Sequence, residues 1–276
     1  MANITVTTAA NMIPEVWSSD VLYYREAKLV LAKLVRRFDA DAKFGDIIHI
    51  PNVAEITARS KSASTAITYD ANTEAVTDIT INKHKYVGVL IEDIAQIQSK
   101  PDLIKIYTQT SGYSLAKAVD TDIAALATGF SQTVGTAGTA LTDANLLTAI
   151  QYLDDANAPE DDRHLVVKPS VKKNILTLDK FVLFQNVGSS APVRSGQIGE
   201  LYGVEIHVTS NISVTDVTVD VTNNMLFHRD AIGLAMQKDI STETQRNIDH
   251  LATAVVSSCL YGVAEIRDSF GVWIKT

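Results

Sequence analysis

The chain has 276 residues, 46% hydrophobic and 20% charged, which excludes a disordered polymer and allows a substantial core in one large domain or two modest ones. Its net charge of −8, with basic residues outnumbered and scattered, excludes a protein that grips nucleic acid through clustered positive charge. The N-terminus lacks a signal-peptide pattern, and the most apolar run, 251–264, is too short and too rich in small polar residues to span a bilayer, so no membrane partner is expected.

Residues 1–12 are polar. From Pro14 to Arg37 a helical pattern runs through Val16, Trp17, Val21, Tyr24, Leu31 and Val35. Trp17, Val21, Tyr24 and Leu31 give this terminal segment an apolar face, which needs a docking site on the same subunit or on a neighbour. Phe44-Gly45-Asp46 punctuates the pattern, and IIHIPNVAEIT follows with strand-like alternation. The next stretch, ARSKSASTAITYDANTEA, is polar and has no helical period. Alternation then returns with Ile79, Ile81, Val87, Val89 and Ile91 on one parity. Two strands flanking a long polar tip predict a projecting β-hairpin, since such a tip is rare in a compact domain unless it touches something outside.

Residues 101–129 predict one long helix. Pro101 suits its first turn, Asp102 puts negative charge at its positive end, and Gly129 supplies a stop. Leu103, Tyr107, Ser111, Leu115, Val119 and Ile123 recur at four-residue spacing, with Lys105, Gln109, Lys117 and Asp120 off that stripe. Gly112 within it costs about 1 kcal/mol relative to alanine, so packing must hold the helix.

Past Gly129, SQTVGTAGTALTD reads as a boundary loop. Asp143 is placed to cap a helix carrying Leu146, Leu147, Ile150 and Leu153, and Ser170 to cap another over VKKNILTLDKF. HLVVKP between them reads as a short buried strand. RSGQIGELYGVEIHV gives a glycine-punctuated turn and then a strand; VTDVTVDV is strand-like, with a turn expected at Asn223-Asn224. Helices alternating with strands over 131–230 predict an α/β subdomain. The tail leans to β: Leu260–Ile266 and Val272–Lys275 could form a terminal hairpin, and 249–259 fits a strand or a helix.

No stretch carries catalytic chemistry. Asp154, Asp155, Glu160, Asp161 and Asp162 are the densest acidic group, but they flank a helix end and a proline-containing loop, which reads as a solvated surface. The six histidines lie far apart without a metal-ligand motif. VGTAGTAL lacks the Gly-Lys-Ser/Thr of a phosphate cradle, and no serine sits in GxSxG. Cys259, within LATAVVSSCLYGV, reads as a buried hydrophobe. No active site, cofactor or metal is expected.

The ordered set of segments resembles the major capsid proteins of tailed bacteriophages, the Hong Kong 97-type fold. FGDIIHIPNV looks like that family's lead-in to its extended loop, RSGQIGELYGVEIHVTSNI like its axial-domain turn and strand, and FHRDAIGLAMQ with DHLATAVVSSCLYGVAEIR like its return to the peripheral domain. The resemblance implies an α+β fold with an N-terminal arm over 1–50, an extended loop over 51–91, a peripheral domain with its spine helix over 92–130, an axial domain over 131–230 and a return to the peripheral domain over 231–276.

It also implies a structural coat protein, not an enzyme, that self-assembles through pentamers and hexamers into an icosahedral phage head around double-stranded DNA, held by weak nonspecific contact. The implied location is the virion, with assembly in the host cytoplasm. A portal protein is implied as a partner; because Met1 stands almost directly on the arm, so is a separate scaffolding protein. Intersubunit candidates are Trp17, Val21, Tyr24, Leu31 and, near the loop tip, Lys61, which matches no identifiable asparagine or carboxylate for a cross-link. The alternatives are an encapsulin-like cargo compartment of the same fold and, from another class, a metal-dependent hydrolase using the Asp154–Asp162 carboxylates.

Overall fold

The computed structural model describes residues 29–53, 56–67, 69, 74–99, 102–177, 199–212, 214–216 and 221–276. Trp17, Val21, Tyr24 and most of the expected N-terminal helix lie outside these residues, as does Pro101. The described chain begins with one helical turn, α1 (Leu31–Leu34), and a two-residue strand, β1 (Arg36–Arg37). Then β2 (Ile47–Asn52) and β3 (Ala75–Thr80) pair antiparallel from Ile47↔Thr80 to Asn52↔Ala75 as a ribbon of their own.

The expected hairpin is there, but its second arm ends at Thr80. The alternation from Ile79 to Ile91 belongs to two strands, because β4 (Lys83–Glu92) leaves the ribbon for a different sheet. A short helix, α2 (Asp93–Gln98), precedes the long one, α3 (Leu103–Ala125), whose last turn tightens to 3₁₀ over Leu126–Gly129. Asp102 is the N-cap of α3: its carboxylate accepts from the N–H groups of Ile104 and Lys105 at 3.1 and 3.4 Å. Leu115, Val119 and Ile123 are buried as the periodicity predicts. Tyr107 is exposed and Leu103 half-buried, so only the later turns of the stripe reach the core. Asp120, expected off the stripe, is buried with them.

Beyond α3 come β5 (Gln132–Gly135), α4 (Asp143–Asp155), β6 (Arg163–Val167) and α5 (Pro169–Leu176). The α4 cap is Thr142, whose hydroxyl accepts from Asn145 N–H, and Asp143 falls in the first turn. At α5 the start is set by Pro169 in the first turn, where a missing N–H costs nothing, and Ser170 lies inside the helix. Next are β7 (Glu200–Leu201) and β8 (Val204–Val208), joined by Tyr202 and Gly203 at φ 53° and 76°. Two successive positive φ values make the tight hairpin turn that the glycine signalled. VTDVTVDV folds back on itself as β9 (Val214–Asp216) and β10 (Val221–Thr222). Asn224 is no turn residue; it opens β11 (Asn224–His228), fully buried, and accepts from Lys168 N–H at 2.9 Å.

The last strands are β12 (Ile232–Asn247), β13 (Ala252–Glu265) and β14 (Gly271–Lys275). Residues 252–259 are therefore strand. The expected terminal hairpin does not form: β13 pairs with β12 and β4, whereas β14 crosses to pair with β11 and, in parallel, with β5.

Two sheets result. The order β1-β12-β13-β4 makes a four-stranded sheet against which α3 packs, and β5-β14-β11-β6-β8-β7 makes a six-stranded one bearing α4. The crossing of β14 ties the C-terminus to the second sheet, so one apolar cluster runs from Leu31, Leu115 and Ile123 to Leu165, Leu226 and Val272. A smaller cluster of Ala42, Ile79, Ile81 and Ala235 sits where the ribbon joins the body. There Gly262 lets β13 approach the backbone of Thr80 and Ile81 so closely that a Cβ would collide with it.

Candidate assembly surfaces

The root of the β2–β3 ribbon is anchored on the body. Ile79 is buried, Ile81 N–H donates to Asp46 carbonyl at 2.7 Å, and the Gln237 amide donates to Gly45 carbonyl at 2.9 Å. Beyond the root every described residue from 56 to 67 is exposed. Ile56, Ile67, Val76 and Tyr69, the last 84% exposed, put large apolar side chains into solvent. The tip turns at Ser62–Thr65, with Ser64 at φ 64° and the Thr65 hydroxyl donating to Ser62 carbonyl at 2.7 Å. Lys61 is exposed beside that turn.

A second exposed apolar patch lies at the far end of the four-stranded sheet. Ile94 and Ile97 of α2 and Ile248 and Leu251 of the β12–β13 turn all face solvent, Ile97 at 81% exposure. They are held together by Asp93 N–H donating to Leu251 carbonyl at 3.1 Å and by a two-bond Arg246–Asp93 pair at 2.5 and 2.6 Å. The Arg246 guanidinium, through its hydrogen bonds, holds the Asp93 carboxyl below its ordinary pKa. Soluble subunits seldom leave such groupings of large apolar side chains uncovered.

The intersubunit candidates are not brought together. Leu31 is corrected: it is fully buried in its own subunit beside α3 and has no surface to offer a neighbour, because α1 docks onto the spine. Lys61 stands alone at the ribbon tip, and Trp17, Val21 and Tyr24 lie outside the described residues.

The acidic group does not converge. Asp154 pairs with buried Arg163 at 2.7 Å, and Arg163 also donates to the carbonyls of Pro159 and Ala158. Asp162 faces Arg229 at 3.8 Å. These carboxylates fasten loops and form no shared oxygen site. Lys83 and Lys85 of β4 both approach Asp122 of α3, at 3.1 and 3.8 Å. Tyr261 donates to that same carboxylate at 2.8 Å, and burial followed by this bond raises its hydroxyl pKa. Cys259 is buried, and burial pushes its thiol pKa up.

One grouping escaped sequence reading. His164, Glu205 and His207 bring their ligand-type atoms within 4.8 Å of one another. The parallel pairing of β6 with β8, His164 opposite Glu205, assembles them from segments that share no motif.

A family model described as phage capsid protein matches residues 55–274. No curated protein matches the chain by sequence. Among solved structures, one from Mycobacterium phage Che8 is 27% identical, with a TM-score of 0.85, covering 96% of this chain and 97% of its own. The capsid structure of cyanophage P-SCSP1u is 19% identical at a TM-score of 0.81, covering 100% and 96%. The capsid of a native GTA particle shares 10% identity at a TM-score of 0.74, covering 100% and 99%. These last two share the fold.

Proposed function

Because this chain belongs to the phage capsid protein family, we propose that its working form is a closed head in which copies form rings of five and six around double-stranded DNA. The chain is a structural coat protein of the Hong Kong 97 type that assembles into a shell. The observation that carries the finer reading is the β2–β3 ribbon, whose root packs on the body while every described residue from 56 to 67 is exposed. A patch that covers a different patch on the next copy is a heterologous contact, and heterologous contacts that close make rings.

In this reading the four-stranded sheet with α3 serves as the peripheral plate, and the six-stranded sheet as the axial domain. Trp17, Val21, Tyr24 and Lys61 serve as contacts to neighbours. The net charge of −8 suits an inner wall that holds DNA only weakly and nonspecifically. A scaffolding protein and a portal protein complete the proposed partners, with assembly in the host cytoplasm and the head as part of the virion.

The test is negative-stain microscopy of the purified chain, concentrated alone and coexpressed with a scaffold, with limited proteolysis alongside. Closed particles or rings of five and six are expected, with cleavage between residues 56 and 67 fast in the free subunit and suppressed in the shell. A chain that stays monomeric or dimeric under all these conditions, or a tip cut equally fast in both forms, overturns the proposal.

A further inference from the structure

We propose that His164, Glu205 and His207 form a binding site for a divalent transition-metal ion of the zinc class, clamping β6 to β8. His164 Nδ1 and Glu205 Oε2 are 3.4 Å apart, and His207 Nε2 and the same Oε2 are 3.5 Å apart. Both separations exceed the usual ~2.7–3.2 Å of an N–H···O bond, so neither imidazole closes a good hydrogen bond on the carboxylate. These two separations match edges of a metal tetrahedron, for which ligand arms of roughly 2.0–2.2 Å give about 3.3–3.6 Å, and the two imidazole nitrogens lie within 4.8 Å of each other.

His164 Nδ1 is buried and has no hydrogen-bond partner among the described residues, in a side chain 9% exposed. An imidazole nitrogen buried without a partner costs free energy that a bound cation would recover. Two imidazoles and one carboxylate favour zinc-like ions over magnesium or calcium, which prefer oxygen ligands. Glu205 is exposed, so water can reach a fourth position.

The position gives the ion a structural role. Glu205 and His207 alternate on one face of β8, and His164 reaches the same point from β6, its ring 5.3 Å from that of His207 and edge-on to Phe227. An ion there joins two parallel strands far apart in sequence.

The untagged full-length chain, stripped with a chelator, is titrated with zinc chloride by calorimetry and with cobalt(II) by visible absorption. One ion per chain is expected, with the cobalt bands of a tetrahedral site and a zinc-dependent rise in the melting temperature. Glu205→Gln and His207→Ala should each weaken binding at least tenfold and abolish the melting shift, whereas His250→Ala, on the exposed β12–β13 turn, should change nothing. Glu205→Gln alters an exposed side chain, so it reports even if His207→Ala fails to fold. Absence of saturable binding up to 1 mM zinc, or binding undiminished in Glu205→Gln, overturns the proposal.

Discussion

Asp120 holds three backbone N–H groups at once: those of Val30, Leu31 and Ala32, at 2.9, 3.3 and 3.0 Å. It caps α1 from another helix, satisfying donors that the first turn of any helix leaves open. Asp120→Ala strands these donors, two of them buried, at ~1–3 kcal/mol for each unsatisfied group, so a loss of at least about 3 kcal/mol is expected in urea unfolding of the free subunit. Asp120→Asn keeps one acceptor oxygen and should lose less. Glu265 provides a pH test. Burial, and then its hydrogen bond with Asp268, push the Glu265 pKa up to about 7, while Ser131 donates from both its N–H and its hydroxyl to Asp268. The folded state holds a proton that the unfolded state releases near pH 4.5, so this contribution is full below about pH 4.5 and lost as pH rises through about 7. Glu265→Gln should therefore stabilise the subunit at pH 8 by on the order of 1 kcal/mol, with the gain fading toward pH 4.5. Thermal melts across that range check it; a gain that grows as pH falls would contradict the assignment.

At the scale of elements, the N-terminal segment divides in two. Leu31 and Val35 are buried in the main core, and β1 pairs in parallel with β12 through Arg36↔Gly233 and Arg37↔Leu234. Burial of each such side chain is worth ~1.5–3 kcal/mol, a large part of a typical ~5–15 kcal/mol stability. Deleting residues 1–36 should collapse the melt. Deleting residues 1–28 removes none of these contacts, and if Trp17, Val21 and Tyr24 serve neighbours it should leave a native-like melt with no shells. Circular dichroism and sedimentation of both truncations distinguish these outcomes. Normal shells from the shorter deletion would remove those three residues from the assembly contact.

For the whole molecule, the ribbon and the α2 patch lie on the body's outside, away from the cluster that holds the two sheets together. Substitutions there should separate folding from assembly. Ile97→Asp places a charge on a residue 81% exposed, so the subunit's own stability should move by no more than ~0.5 kcal/mol. In a shell contact the same charge would be buried unpaired, costing several kcal/mol at every copy. Loss of shells with an unchanged melt is expected in sedimentation velocity. Normal shells would place α2 outside any contact.

Sequence alone determined the features that depend on near neighbours along the chain. The ribbon's strands, the turns of α3 carrying Leu115, Val119 and Ile123, and the Tyr202-Gly203 turn follow from two-residue and four-residue periods and from the need for positive φ. Bounded by such local signals, the order of elements was enough to suggest the fold. Tertiary structure alone decided which strands meet. Val272–Lys275 has the same alternation whether it pairs with β13 or, as it does, with β11 and β5. Asp120 reads as polar surface until α1 brings three N–H groups to it, and His164 reads as isolated until β6 and β8 set it opposite Glu205. Periodicity records which face of an element is covered; what covers it depends on contacts between residues far apart in the chain, and no local pattern encodes those partners.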